Sequence, residues 1–459
     1  MDIEKVIRFA ETNFKSNVEK LKALARIPSV SFNGFPPEEV NKSAQAVASL
    51  LTEEGLEHVE ILKLEGAHPY VYGDWLHAKG KPTLLLYAHH DVQPPGREEK
   101  WKTPPFVPTE VGDRLYGRGA ADDKAGIIVH TSAIAAYLKT LGSLPVNVKV
   151  IIEGEEEIGS DHLEAFLERY KEKLQADIIV LTDTENFDVG VPAITTSLRG
   201  LVAAEVEVTV MESPKHSGMA GGPLADPVLA LSKMLAALVD DNGRIAIPGI
   251  YDSVRPPSAV EKESYDSLDF TESEYRKRVK LHDSVELIGG KESIPEKLWR
   301  LPSLSVNAIQ ASSRKLVSNV VCESAWCKVG IRIVPDMDPQ KTGEALSNFL
   351  KEKAPWGVEV KVTLEQSASW WATTPEGPAF EKARSALSKA FGRECVYVGQ
   401  GGTIPFVQPF STVLGGAPAL LIGVEDPYTN AHSENESVHL GDLKKSINGA
   451  IYLYESLAE

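Results

Sequence analysis

Three apolar runs in the N-terminal part of the chain stop abruptly at groups that bind protons or metals. Leu84-Leu85-Leu86-Tyr87-Ala88 runs into His89-His90-Asp91-Val92-Gln93-Pro94. Val146-Asn147-Val148-Lys149-Val150-Ile151-Ile152 runs into Glu153-Gly154-Glu155-Glu156-Glu157-Ile158-Gly159-Ser160, and Ile178-Ile179-Val180-Leu181-Thr182 ends at Asp183. Short aliphatic runs of this kind suit strands buried on both faces. Helical patterns separate them, and strands alternating with helices make a largely parallel sheet, whose ligands bind beyond the carboxyl ends of the strands. The acidic and imidazole groups therefore line one edge of one sheet.

Side chains alternate along a strand, so His89 and Asp91 project together while His90 faces the other way. A carboxylate beside an imidazole fixes the tautomer and orientation of a metal-binding histidine, although a polar surface turn would carry the same residues. Between the first two runs, Tyr116-Gly117-Arg118-Gly119-Ala120-Ala121-Asp122-Asp123-Lys124-Ala125-Gly126 precedes an apolar helical stretch at 127–141. Adjacent aspartates there suit the positive end of a helix as well as they suit a metal.

Periodicity predicts an amphipathic helix over 2–25 and a second over 37–54, followed by strands at 57–64 and 70–75. From about Thr195 the pattern changes. Residues 198–210 alternate as in a half-exposed antiparallel sheet. A glycine-rich segment around His216, a helix at 227–239, a charged helical insertion at 261–280 and strands at 325–334 and 357–364 follow. Helix 376–391 and later strand-and-loop segments return to the first pattern. The expected fold is α/β: a mostly parallel-sheet catalytic domain in two parts, 1–197 and 368–459, with an inserted α+β lid or dimerisation domain at 198–367.

At 459 residues the chain is too long for one core. A formal charge of −17 argues against nucleic-acid binding, but a metal or other local positive charge would still admit a small anionic substrate. Cys322, Cys327 and Cys395 are too few for a disulfide framework, and the expectation is a reducing compartment, with Cys322 and Cys327 buried as small apolar residues. No apolar stretch suits a membrane span or a secretory signal, so a cytoplasmic protein is expected.

In order along the chain stand His-His-Asp-Val-Gln-Pro, Tyr-Gly-Arg-Gly-x-x-Asp-Asp-Lys-x-Gly, Glu-Gly-x-Glu-Glu-x-Gly-Ser, His-Ser-Gly, Ile-Arg-x-Val-Pro, Gly-Gly-Thr-Ile-Pro and Ala-His-Ser-x-Asn-Glu. With these motifs the chain resembles the co-catalytic metallopeptidases of family M20. That family includes carnosine and nonspecific dipeptidases, glutamate carboxypeptidase and succinyl-diaminopimelate desuccinylase, and the likeness is greatest to the dipeptidase branch.

The resemblance implies two divalent metal ions, zinc first, with manganese or cobalt as alternatives. His89 and Asp183 would hold one, Glu157 and His432 the other, and Asp122, followed by a cis peptide in the family, would bridge them. Asp91 would orient His89. The residues alone do not choose among Glu155, Glu156 and Glu157; the family's spacing to Gly159-Ser160 makes Glu156 the general base. His216, stabilising the oxyanion, and Asn319 would reach the site from the partner subunit of a homodimer, although relatives often carry threonine where Asn319 stands. Arg332 would clamp the substrate carboxylate bidentately, with Gly402 and Thr403 completing that anion site.

The activity implied is that of a hydrolase, a metal-dependent exopeptidase cleaving dipeptides or short peptides with a free C-terminal carboxylate. An N-acyl-amino-acid deacylase is the nearest alternative. A non-catalytic binding protein on the same scaffold would be the alternative of another class.

Overall fold

The computed structural model describes residues 2–315, 317–402 and 407–459, the side chain of Ser411 excepted. The chain divides into two compact units. The first comprises Met1–Thr196, Thr374–Val398 and Pro405–Glu459, and the second Ser197–Thr373 with Gly399–Ile404.

In the first unit the strand Thr83–His89 lies between Asn147–Glu153 and Ile178–Leu181, parallel to both. Ala419–Leu421 adds a further parallel strand beside Ile178–Leu181, and Tyr70–Trp75 with Glu57–Leu62 extends the other side antiparallel. All residues of Thr83–His89 after the first are buried, as an aliphatic run sandwiched between layers requires. Register places His89 opposite Glu153 and Tyr87 opposite Leu181, so the three strands finish nearly level. Their carboxyl ends carry the polar residues along one edge.

The helix Lys124–Leu141 packs on this sheet and against helices Ile3–Thr12, Phe14–Ala25 and Leu440–Leu457. It is buried on every side from Lys124 to Tyr137, which explains its nearly uninterrupted apolar sequence. Asp123 caps it at one end, and Gly142, with φ of 71°, closes it at the other. The peptide between Asp122 and Asp123 is cis.

The second unit is built on an antiparallel sheet in the order Ser303–Gln310, Ser324–Ile333, Gly200–Thr209, Glu359–Leu364. Alternate residues Val202, Ala204, Val206 and Val208 of the central strand join Val329, Ile331 and Ile333 in a core beneath helices Pro227–Ala236 and Pro339–Glu352.

Several expectations are corrected. The N-terminal helix is two helices meeting at Asn13, whose side chain donates to the Phe9 carbonyl at 2.9 Å beside its own backbone N–H at 3.0 Å, a back-bonding that bends helices. The charged helical insertion is present, as two helices, Ala259–Ser267 and Glu272–Val279, each opened by a hydroxyl cap, Ser258 or Thr271. Cys327 is buried, but Cys322 is only half-buried. Among the described residues no helix is long and apolar enough to cross a membrane.

Candidate metal centre

His89, the last residue of its strand, is completely buried. Its Nδ1 lies 3.1 Å from the Asp91 backbone carbonyl and 3.4 Å from Asp91 Oδ1. That leaves Nε2 to face Asp122 Oδ1 at 3.0 Å, Asp183 Oδ1 at 3.8 Å and Glu156 Oε2 at 4.0 Å. Asp122 turns its other oxygen elsewhere: Oδ2 is 3.1 Å from His432 Nε2, which is in turn 3.2 Å from Glu157 Oε2. One carboxylate thus stands between two imidazoles, and the Nε2 of each also faces a further carboxylate, Asp183 for His89 and Glu157 for His432.

Asp123 is occupied differently. Its Oδ1 accepts from the Gly126 N–H at 3.2 Å and its Oδ2 from the His89 N–H at 3.3 Å. It still lies near enough to His89 and Asp183 for the three to form a possible metal-binding group, beside the group His89, Asp122 and Glu157.

The three consecutive glutamates separate by their partners. Glu155 is buried and accepts from the Tyr70 hydroxyl, the His68 N–H and the His162 N–H, so it holds its loop. Glu157 meets His432, and half-buried Glu156 points toward His89. Asp91 fixes this loop as well as His89: its oxygens accept from the Glu156 N–H at 3.2 Å and the Glu157 N–H at 3.1 Å. Gln93 was not singled out from the sequence. It donates to both Glu157 carboxylate oxygens, from its backbone at 3.0 Å and its amide at 2.7 Å.

Crowding acidic groups in a buried place raises their proton affinity. Burial first, then the Asp183 charge, pushes Glu156 well above the usual carboxylate range. Burial and the Asp122 charge raise Glu157 to about 7. Burial resists ionisation of Asp122, yet its hydrogen bonds from His432 and His89 win and hold it low. His432 rises to about 11 through its bonds to Asp122 and Glu157. For His89, burial disfavours charge, but Asp122, Asp183 and Asp91 together overcome it and raise the pKa well above 6.5.

The second unit carries the other expected site residues. His216 and Asn319 are neighbours there, since the Ser217 N–H donates to the Asn319 carbonyl at 2.8 Å, and both are exposed. His216 Nδ1 accepts the Gly218 N–H at 3.1 Å. Arg332 is half-buried and pairs across the sheet with Ser303 and Leu201. A second guanidinium, missed in the sequence, stands close by: Arg199 donates to Ser303 Oγ at 2.9 Å, and its backbone N–H to the Gln400 carbonyl at 3.2 Å. Burial, then the charge of Arg332, lowers Arg199 to about 10. Gly402 is half-buried, and Thr403 lies outside the described residues.

Residues 85–456 match the peptidase family M20/M25/M40. The chain belongs to that family. Membership makes it a hydrolase of peptide bonds. It is 33% identical over 366 residues to the β-Ala-His dipeptidase of Rattus norvegicus, covering 78% of this chain and 74% of that protein. It is 31% identical over 457 residues to the Cys-Gly metallodipeptidase of Candida albicans, covering 94% and 92%. Among solved structures, human carnosine dipeptidase 1 is similar with a TM-score of 0.85 at 29% identity, covering 100% of this chain and 99% of that one. An M20 metallo-carboxypeptidase from Sulfolobus solfataricus is similar at 0.82 and 29%, covering 96% and 99%.

Proposed function

We propose that this M20 peptidase is a metallodipeptidase that uses two divalent cations to cleave dipeptides or short peptides with a free C-terminal carboxylate. The observation that carries the proposal is Asp122, with one oxygen toward His89 and the other toward His432. The donors fit such cations: Asp122, Asp183, Glu156 and Glu157 crowd around two imidazoles, and their mutual repulsion is what positive ions would relieve. His89 and Asp183 would hold one ion, His432 and Glu157 the other, and Asp122 both. Hard oxygens with imidazoles suit zinc, and also manganese or cobalt. Bound there, such ions supply Lewis acidity at the scissile carbonyl and lower the pKa of water.

The chain's own residues do the rest. Glu156, whose Oε2 lies 4.0 Å from His89 Nε2, takes the proton of the attacking water and passes it to the leaving amine. Arg332, with backbone N–H groups of Gly402 and Thr403, receives the substrate carboxylate. Because His216 Nδ1 accepts a hydrogen bond, a neutral ring carries its proton on Nε2, the form that donates to an oxyanion. In a homodimer His216 and Asn319 would act in the partner's site. The names of the relatives favour a dipeptidase over a deacylase. Free Cys322, Cys327 and Cys395 accord with a cytoplasmic setting.

Glu156→Gln should lower kcat by about 10²- to 10⁴-fold while zinc content stays unchanged. A fully active variant would refute the mechanism. Faster turnover of N-acetyl or N-succinyl amino acids than of any dipeptide in a panel would overturn the substrate class. Mixed Glu156→Gln and His216→Ala subunits should recover activity in heterodimers if His216 is supplied by the partner.

A further inference from the structure

The proposed mechanism makes no use of Glu436, although its carboxylate is one of the most completely engaged in the molecule. It has no exposed surface. Its Oε2 accepts from Arg118 Nη1 at 2.7 Å and from the Gly119 N–H at 3.0 Å, and its Oε1 accepts from the Ala121 N–H at 3.0 Å and the Asp122 N–H at 3.2 Å. Arg118, 1% exposed, spends its other terminal nitrogen on the carbonyls of Pro94 and Ser433, each at 3.1 Å. Its guanidinium also lies over the Trp101 ring, 5.5 Å from the centroid.

Three chain segments meet at this pair, and each carries a proposed ligand. Pro94 follows the strand end that bears His89, Gly119 to Asp122 is the loop that bears Asp122, and Ser433 with Glu436 belongs to the loop that bears His432. That last loop is held in an unfavourable backbone conformation: Asn430, His432 and Asn435 have φ of 56°, 60° and 66°. Such values are uncommon outside glycine, although asparagine and histidine adopt them more readily than other residues. A buried ion pair is in itself a poor source of stability, because desolvation consumes most of its attraction. Its worth here lies in where it fixes the backbone.

We infer that Arg118 and Glu436 are positioning residues of the metal centre, which set the spacing between Asp122 and His432 and thereby the affinity for metal. The inference rests on the two-cation reading above. None of these bonds uses a side-chain atom of a proposed metal ligand, so the pair does not compete with metal for its donors. Glu436→Gln keeps the shape but replaces one acceptor oxygen with an amide that donates, and this sets a donor against either Arg118 or the loop N–H groups. Arg118→Lys keeps the charge but loses the fork that reaches Pro94 and Ser433.

The test is zinc affinity, measured by competition with a chromophoric chelator on the full chain, together with KM for a dipeptide at saturating zinc. Glu436→Gln should weaken at least one zinc by about 10- to 100-fold, and Arg118→Lys by less, with KM within about threefold of the parent. A folded Glu436→Gln that holds both zincs as tightly as the parent overturns the inference, as does a loss seen only as a raised KM. If the parent itself binds no zinc, the two-cation reading fails instead. Should Glu436→Gln not fold, hydrogen exchange on the parent decides. The amides of Gly119, Ala121 and Asp122 should be protected with and without zinc, and rapid exchange in the zinc-free protein overturns the pair's role.

Discussion

Arg199 and Arg332 bring two guanidiniums to one end of the second unit's sheet, linked through Ser303, which pairs with Arg332 and accepts from Arg199. Arg332 alone would give a single fork for a carboxylate. With Arg199 beside it the local field is stronger, and Arg199 also ties the strand to the Gln400 loop through its backbone. Arg332→Lys should therefore raise KM for a dipeptide by about 10- to 100-fold through loss of bidentate, charge-assisted bonds, and Arg199→Lys by about tenfold or less. Substrates amidated at the C-terminus should show little difference between parent and variants. Equal losses on free and amidated dipeptides would show that neither arginine reads the carboxylate. Arg332 was legible in the sequence because it stands in a motif. Arg199 was not, since an arginine at a strand junction has no local pattern to distinguish it. Gln93 and Glu436 were within motifs, but what they hold, the Glu157 carboxylate and the Asp122 loop, becomes visible only when distant segments meet.

The helix Lys124–Leu141 shows how an element can fix a site without contributing a ligand. Its first turn includes Gly126, whose N–H is taken by the capping Asp123. A Cβ there would lie 2.4 Å from Asp123 Oδ1 and 2.4 Å from Thr182 Oγ1, the residue before Asp183. Alanine is the better helix former by about 1 kcal/mol, so propensity alone predicts that Gly126→Ala stabilises the protein. The contacts predict the reverse: a loss of about 1–3 kcal/mol from overpacking, read by urea unfolding, with weaker zinc binding as Thr182 is pushed aside. Increased stability with undisturbed zinc affinity would show that the helix start yields freely. This helix and the three strands ending near His89, Glu153 and Leu181 could be read from the sequence because burial on all sides leaves mostly apolar runs, the strand Asn147–Glu153 alternating through Lys149 before it turns apolar. The strand Ser303–Gln310 could not, for the opposite reason: six of its eight residues are exposed at a sheet edge, and no buried face imposes alternation. The break at Asn13 escaped because the apolar spacing continues through it, and the Asn13 side chain only adds a second donor to a Phe9 carbonyl that already accepts the Asn13 backbone N–H.

For the whole molecule, pH acts through groups that the fold holds in one protonation state. His130 lies in the middle of the Lys124–Leu141 helix with Nε2 3.1 Å from the Tyr87 carbonyl, and His90 sits with Nε2 3.0 Å from the Pro69 carbonyl. Both are buried, and burial lowers each to about 4. An unfolded histidine titrates near 6.5. Between these values the unfolded chain binds a proton that the folded chain refuses, so this contribution is intact above pH 6.5 and is lost as the pH falls toward 4. Glu153 acts in the opposite sense. Burial raises it to about 8, so its contribution is present below 4.5 and is lost as the pH rises through 8. The total pH profile therefore mixes both signs, and a difference measurement isolates one. The stability of the parent minus that of His130→Gln, from urea unfolding with chelator present throughout, should fall by about 2 kcal/mol between pH 7 and pH 5. A difference independent of pH would mean that His130 takes up a proton inside the fold as easily as outside it.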